Sequence, residues 1–223
     1  MTGTGWIRRY RHPQLLVALS LLLFVSPFLG QHRGGFVVDV FLTLTLIAAV
    51  VACSTHRWQF VLGIGLTVLT TTASAYVNYS GDDTFGLAHM LTTLGFLVFI
   101  TYLVMRNVFG PGPVDVDKIC GALSGYLFMG MSWAFAYALL EWANPGSLQG
   151  IEGVGSSFRT YDRFIGYSFV TLTTVGYGNV VPANPRAEAL ASAEAIFGQI
   201  YLTVLVARLV ALSVQHQEEK GVE

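Results

Sequence analysis

Six apolar stretches, each near the roughly 20 residues that a helix needs to cross a bilayer, govern what this chain can fold into. They run from about Gln14 to Leu29, Phe36 to Ser54, Trp58 to Tyr76, Phe85 to Met105, Ile119 to Trp142 and Ala187 to Val214. Only 11% of the residues are charged and 53% are hydrophobic, far from the quarter or so of charged residues usual in soluble domains. The sequence therefore predicts an all-α membrane protein with six transmembrane helices. The first stretch follows Arg8, Arg9 and Arg11 in the manner of a signal peptide. Its length and the lack of a small-residue cleavage site favour a span, with Pro27 marking its exit.

Lysine and arginine in the loops set the orientation. With the N-terminus inside, the cytoplasmic side collects Arg8, Arg9, Arg11, Arg57, Arg106, Lys118, Arg208 and Lys220, and the outside receives Arg33, Arg159, Arg163 and Arg186. The expected location is the cell membrane, multi-pass, with both termini cytoplasmic. A breaker-rich linker from Arg106 to Pro113 separates the helices into two groups. The expected units are residues 1–110 (four helices), 111–118 (linker), 119–215 (two helices and the segment between them) and 216–223 (a short cytoplasmic tail). A net charge of −1 leaves no basic stripe for a nucleic acid. Cys53 and Cys120 are far apart and without metal-ligand spacing, which reads as reduced packing thiols.

The connection between the last two spans is the informative one. After a glycine-rich outside loop from Asn144 to Gly155, the segment FIGYSFVTLT is apolar yet too short to span, with Thr160 or Asp162 placed to cap it. TVGYG follows at once, from Thr174 to Gly178. Irregular backbone at membrane depth is tolerated only where protein buries it or where it lines a water-filled path. A short helix entering from outside would direct its negative C-terminal end at the membrane centre, where it favours a cation.

The block SFVTLTTVGYGNVVP, Ser168 to Pro182, resembles the pore region of the tetrameric potassium channel family, whose selectivity filters carry this pentapeptide. The resemblance implies a re-entrant pore helix and selectivity filter between the fifth and sixth spans, assembled as a homotetramer because each chain supplies one filter segment. It implies K⁺ ligation by the carbonyls of Thr174, Val175, Gly176 and Tyr177, with the Thr174 hydroxyl at the innermost site and Gly178 freeing the backbone. The side chains of Val175 and Tyr177 would point away and brace the loop. Many family members carry Asp where Asn179 stands, and some carry a pore-helix Glu where Val170 stands. Tyr167 occupies an aromatic position from which a hydrogen bond to Asn179 is expected, and Glu141 resembles an acid that holds the filter's surroundings.

Gly198, twenty residues after Gly178, resembles the hinge of channel inner helices, and close packing explains a small residue there equally well. Leu202, Val206, Val210 and Val214 recur every fourth residue. They could form apolar gate rings that close by dewetting, or pack on lipid or a neighbouring helix. Glu194 is expected to tether the inner helix to the pore helix, and Arg208 to point to Asp115 or Asp117 or toward lipid headgroups, while a satisfied packing or interfacial charge accounts for Glu194, Arg208 and Glu141 equally well. The fourth stretch, FGLAHMLTTLGFLVFITYLVM, holds no lysine or arginine, whereas a voltage sensor needs several charges at about 2.3 kcal/mol each per 100 mV.

The function this implies is a K⁺-selective passive channel without arginine-based voltage sensing. A weakly selective cation channel and a non-conducting regulatory subunit or membrane sensor are the alternatives. No enzyme motif is present. The implied partners are further copies of the chain, membrane lipid and K⁺, and no cofactor is implied beyond K⁺ as the permeant ligand.

Overall fold

The computed structural model describes residues 11–25, 34–54, 56–80, 83–110, 115–151 and 158–221. The helices are α1 (Arg11–Val25), α2 (Gly34–Cys53), α3 (Arg57–Ser80), α4 (Asp83–Val108), α5 (Val116–Ala143), α6 (Phe158–Leu172) and α7 (Pro185–Gly221). Two short strands, β1 (Leu148–Gln149) and β2 (Val181–Pro182), complete the described elements. Pro27 and Arg33 lie outside the described residues.

Among the described residues, four helices are long and apolar enough to cross a membrane, over Arg57–Tyr76, Gly86–Val108, Val116–Ala143 and Pro185–Arg208. The first two expected spans appear as shorter apolar helical segments, His12–Phe24 and Thr43–Ala52. α7 differs most from expectation. It continues unbroken to Gly221, through the segment expected as a tail, and its 37 residues extend about 55 Å at 1.5 Å per residue. That exceeds a hydrocarbon core of about 30 Å, so part of the helix projects beyond it.

Helix ends follow local chemistry. The Asp115 side chain accepts from the Lys118 amide at 3.0 Å and starts α5. The Asn184 side chain accepts from the Ala187 amide at 2.9 Å and starts α7, with Pro185 at the first helical position, where its missing N–H costs nothing. Thr160 and Asp162 lie inside α6, which begins at Phe158, so neither is its cap.

α5 is the hub, with α1, α4 and α6 packed against it. One apolar cluster joins α1, α2 and α4 to α5 and α7 through Leu19, Val50, Ile100, Phe128 and Tyr201. A second, through Ala134, Tyr137, Phe164, Tyr167 and Val180, joins α5 to α6 and to the segment after it. Two close approaches use glycine: Gly63 of α3 faces Val50 of α2, and Gly130 of α5 faces the Phe169 ring of α6, each too near for a Cβ.

Candidate functional site

α6 is 15 residues long, about 22 Å at the helical rise, and lies between two much longer helices. Its C-terminal end is the centre of the site. The Thr174 amide donates to the Thr171 carbonyl at 2.9 Å, and the Val175 amide donates to the Val170 carbonyl at 2.9 Å. These are the two bonds of a helix ending in a left-handed residue. That residue is Thr174, with φ of 58°, where glycine is the usual occupant. A threonine held there stores roughly 1–3 kcal/mol of backbone strain.

The left-handed conformation then recurs at every second residue. Gly176 has φ of 61° and Gly178 has φ of 76°, while Val175 and Tyr177 keep negative φ. An extended strand points successive side chains to opposite faces and alternates its carbonyls. A chain whose φ changes sign at each step instead turns successive carbonyls toward one side, and glycine makes that accessible at Gly176 and Gly178. The Val175 side chain is 53% exposed and the Tyr177 side chain 75% exposed within the single chain.

Three supports surround this loop. At its base, the Tyr126 hydroxyl of α5 donates to the Leu172 carbonyl at 3.2 Å, and Tyr126 stacks on Tyr201 of α7 at 5.6 Å. Tyr201 in turn donates to the Ala122 carbonyl at 2.6 Å. Gly198 of α7 sits against the same Leu172 carbonyl so closely that a Cβ would collide with it. Gly198 is thus closely packed, and α7 passes through it without a break.

Beside the loop, Glu194 of α7 meets Ser168 of α6 at 2.5 Å and Tyr137 of α5 at 2.6 Å, the expected tether. Tyr167 packs edge-on against the Tyr137 ring at 4.8 Å. The expected hydrogen bond from Tyr167 to Asn179 is not formed among the described residues. Asn179 is exposed, and its backbone carbonyl lies so close to Gly150 that a Cβ there would collide with it, while the φ of 96° at Gly150 is itself a glycine conformation. Arg163 of α6 donates to the Gly150 carbonyl at 2.7 Å.

At the C-terminal end of α5, Glu141 is 4% exposed and accepts from the Gly146 amide at 2.6 Å and the Leu148 amide at 2.9 Å. This fixes the turn that presents β1, and β1 pairs antiparallel with β2, Leu148 opposite Pro182 and Gln149 opposite Val181. The Ala183 amide donates to the Ser147 carbonyl at 2.8 Å, and the Asn184 side chain donates to the Ser147 hydroxyl at 2.8 Å. The residues before and after the loop are therefore anchored to the end of α5.

On α7, Leu202, Val206 and Val210 are 37%, 58% and 57% exposed in the single chain, while Tyr201 and Leu205 are buried against α5 and its neighbours. The Val214 side chain lies outside the described residues. Arg208 does not turn to an acid: it donates to the Gly110 carbonyl at 2.8 Å and lies over the Phe109 ring at 5.3 Å. Both acids expected for it are engaged elsewhere, Asp115 at its cap and Asp117 with His12 at 3.0 Å. Lys118 donates to the same Gly110 carbonyl at 3.2 Å. Cys120 is a free thiol, and no cluster of His, Cys, Asp or Glu among the described residues could hold a metal ion.

Sequence reasoning missed Tyr126, Tyr201, Ser147 and Gly150. The two tyrosines carried a signal, since a hydroxyl inside an apolar helix requires a partner. Gly150 carried none, because its tight neighbour is a backbone atom nearly thirty residues on.

Residues 126–215 match the family model described as "Ion channel". The match takes in most of α5, all of α6, the loop from Thr173 to Gly178 and most of α7, and amounts to less than half of the chain. No curated protein and no solved structure matches the chain. The apolar helices and this match together support a multi-pass membrane protein with an ion-channel segment.

Proposed function

We propose that the chain forms a homotetrameric, K⁺-selective passive channel whose filter is the backbone of Thr174 to Gly178. The observation that carries this reading is the alternation of left-handed φ at Thr174, Gly176 and Gly178 immediately after a helix too short to span. Carbonyls turned to one side from four copies would stack as rings that replace the hydration shell of a dehydrated K⁺. The Thr174 hydroxyl would close the innermost ring.

Assembly from several copies is supported by what a single chain leaves bare. Tyr177, Val175, and the α7 residues Ile196, Phe197, Ile200, Val204 and Val206 are all exposed. An aromatic side chain beside a re-entrant loop requires cover, and closed cyclic symmetry supplies it from identical neighbours. Leu202, Val206 and Val210 then face one another as gate candidates, with Val214 further along the same helix.

The four N-terminal helices would form a collar without gating charges. α4 carries one basic residue, Arg106, in its last turn, so opening is expected to depend only weakly on voltage. A second reading, a weakly selective cation channel, is favoured by one observation: Tyr167 does not reach Asn179, which leaves the outer filter with fewer side-chain braces.

The test is ion flux through the purified chain in liposomes. K⁺ and Rb⁺ flux far above Na⁺ flux, abolished in Gly178→Ala, supports the selective channel. Comparable K⁺ and Na⁺ flux supports the second reading, and no flux in either ion overturns both. Single-channel recording across voltage addresses the collar, and a steep conductance curve of several gating charges per chain would overturn its description.

A further inference from the structure

Three short oxygen–oxygen contacts meet where α5, α6 and α7 converge. The Tyr137 hydroxyl lies 2.6 Å from Glu194 Oε2, the Ser168 hydroxyl lies 2.5 Å from Glu194 Oε1, and the same Ser168 oxygen lies 2.7 Å from the Gly130 carbonyl oxygen. Contacts of that length between oxygens require a proton in each. The carbonyl only accepts, each hydroxyl holds one proton, and an ionised carboxylate holds none. Two protons cannot fill three contacts.

The missing proton is available from one group, Glu194 itself. With it in place the network is complete: Tyr137 donates to Oε2, Oε1–H donates to Ser168, and Ser168 donates onward to the Gly130 carbonyl. The surroundings favour the same state. Tyr137, Ser168 and Glu194 are each 0% exposed, and no cation pairs with Glu194 among the described residues. The titratable groups in reach of it are Tyr137 and Tyr126 from α5 and Tyr167 from α6, none of which supplies positive charge. A buried carboxylate with no cation is expensive, and such groups neutralise instead.

We propose that Glu194 is a positioning residue for ion conduction, held as a neutral carboxylic acid whose proton fastens the pore-lining helix α7 to the pore helix α6, so that conduction depends on that proton. The conduction part rests on the channel reading above. When the proton leaves, Ser168 faces two acceptors with one hydrogen, and one short contact becomes repulsive. The displaced element is α6, whose C-terminal turn carries Thr174 and whose Leu172 carbonyl rests on Gly198. Deprotonation is thereby transmitted to the filter's base, although Glu194 touches no filter residue.

The test uses the full-length chain in liposomes, with the wild type and Glu194→Gln compared from neutral to alkaline pH. Glutamine donates to Ser168 and accepts from Tyr137 as the neutral acid does, and it does not titrate. Two quantities are read: Rb⁺ flux, and the infrared band of a protonated carboxyl, assigned by its loss in Glu194→Gln. The wild type should show the band at neutral pH and lose it on alkalinisation together with its flux, which falls about tenfold per pH unit beyond the midpoint. Glu194→Gln should keep wild-type flux at neutral pH and hold it at alkaline pH.

A carboxylate band without the protonated band at neutral pH overturns the proposal. So does a Glu194→Gln flux that falls with pH in parallel with the wild type. Failure of Glu194→Gln to assemble overturns it as well, since an uncharged side chain with the same donor and acceptor must fit a site built around the neutral acid. Wild-type chains that carry no ion at any pH overturn the channel reading and with it the conduction part, whereas the infrared band decides the protonation of Glu194 independently of flux.

Discussion

The two halves of this chain are held together by different chemistry. In α3 and α4, Thr67, Thr71, Thr92 and Thr101 each donate to a carbonyl four residues back in their own helix, and the helices meet mainly through apolar side chains, with a polar contact from His89 to the Thr70 backbone. In α5 to α7, polar side chains reach across long stretches of sequence, 26 residues for Ser168 to Glu194, 79 for Tyr201 to Ala122 and 98 for Arg208 to Gly110. Apolar contacts are tolerant of sliding, because one methyl group replaces another at small cost. A hydrogen bond buried in a low dielectric fixes a distance, and losing one partner costs the desolvation of the other. The C-terminal half is thus built to hold one geometry, and the N-terminal half to stay packed.

Five substitutions sharpen or break this contrast, each read as thermal unfolding of the assembled protein in detergent. Glu141→Ala strands the buried Leu148 amide and removes the acceptor of the exposed Gly146 amide, and should cost about 3 kcal/mol, the sum expected for two bonds to a carboxylate reduced by relaxation and by water at Gly146. A loss below about 1 kcal/mol would mean that water replaces the carboxylate.

The same change at two glycines should have opposite signs. Gly198→Ala drives a methyl into the Leu172 carbonyl and should lose about 2 kcal/mol by overpacking, with a fall in Rb⁺ flux. Gly95→Ala in α4 meets nothing within 4 Å and should gain up to about 1 kcal/mol from helix propensity. Equal effects at both positions would erase the distinction between the halves.

Tyr201→Phe removes the bond to Ala122 while keeping the ring stacked on Tyr126, for an expected loss of about 1 kcal/mol. Thr92→Val removes a hydroxyl bonded only within its own helix, to the Ala88 and His89 carbonyls, and a change within about 0.5 kcal/mol is expected. A larger loss for Thr92→Val than for Tyr201→Phe would reverse the assignment of which half depends on polar contacts.

How much the sequence foretold follows the same division. The long helices were legible because hydropathy over about 20 residues reports directly on bilayer crossing, and α4 and α5 fall within a few residues of their expected bounds. The short helix and its loop were legible because TVGYG combines a length limit with residues that permit unusual backbone. Glu194 stood out as an acid among apolar neighbours, and its tether to the pore helix was foreseen.

Arg208 was not foreseen, because its partner is a carbonyl, which every residue carries and no residue type announces. Tyr167 failed differently. Its expected partner Asn179 was assigned by position in a family pattern, but the ring is drawn into the apolar cluster with Tyr137 and Phe164, where burial of an aromatic surface outweighs one exposed amide bond. The continuation of α7 past its expected span was not legible, because a polar run such as QHQEEKG has good helix formers even where it lacks the hydropathy of a span.

The loop from Thr174 to Gly178 occurs once in each chain, and in the tetramer proposed above it occurs four times in each pore. That arithmetic turns a structural detail into a rule of inheritance. Where a chain with a spoiled filter is made in equal amount with an intact one and the two mix freely, only about one ring in sixteen is built wholly of intact chains. A filter lesson learned in one copy is thus imposed on its neighbours, so such alleles would be dominant, whereas an allele that prevents α7 from meeting other copies would withdraw silently and be recessive.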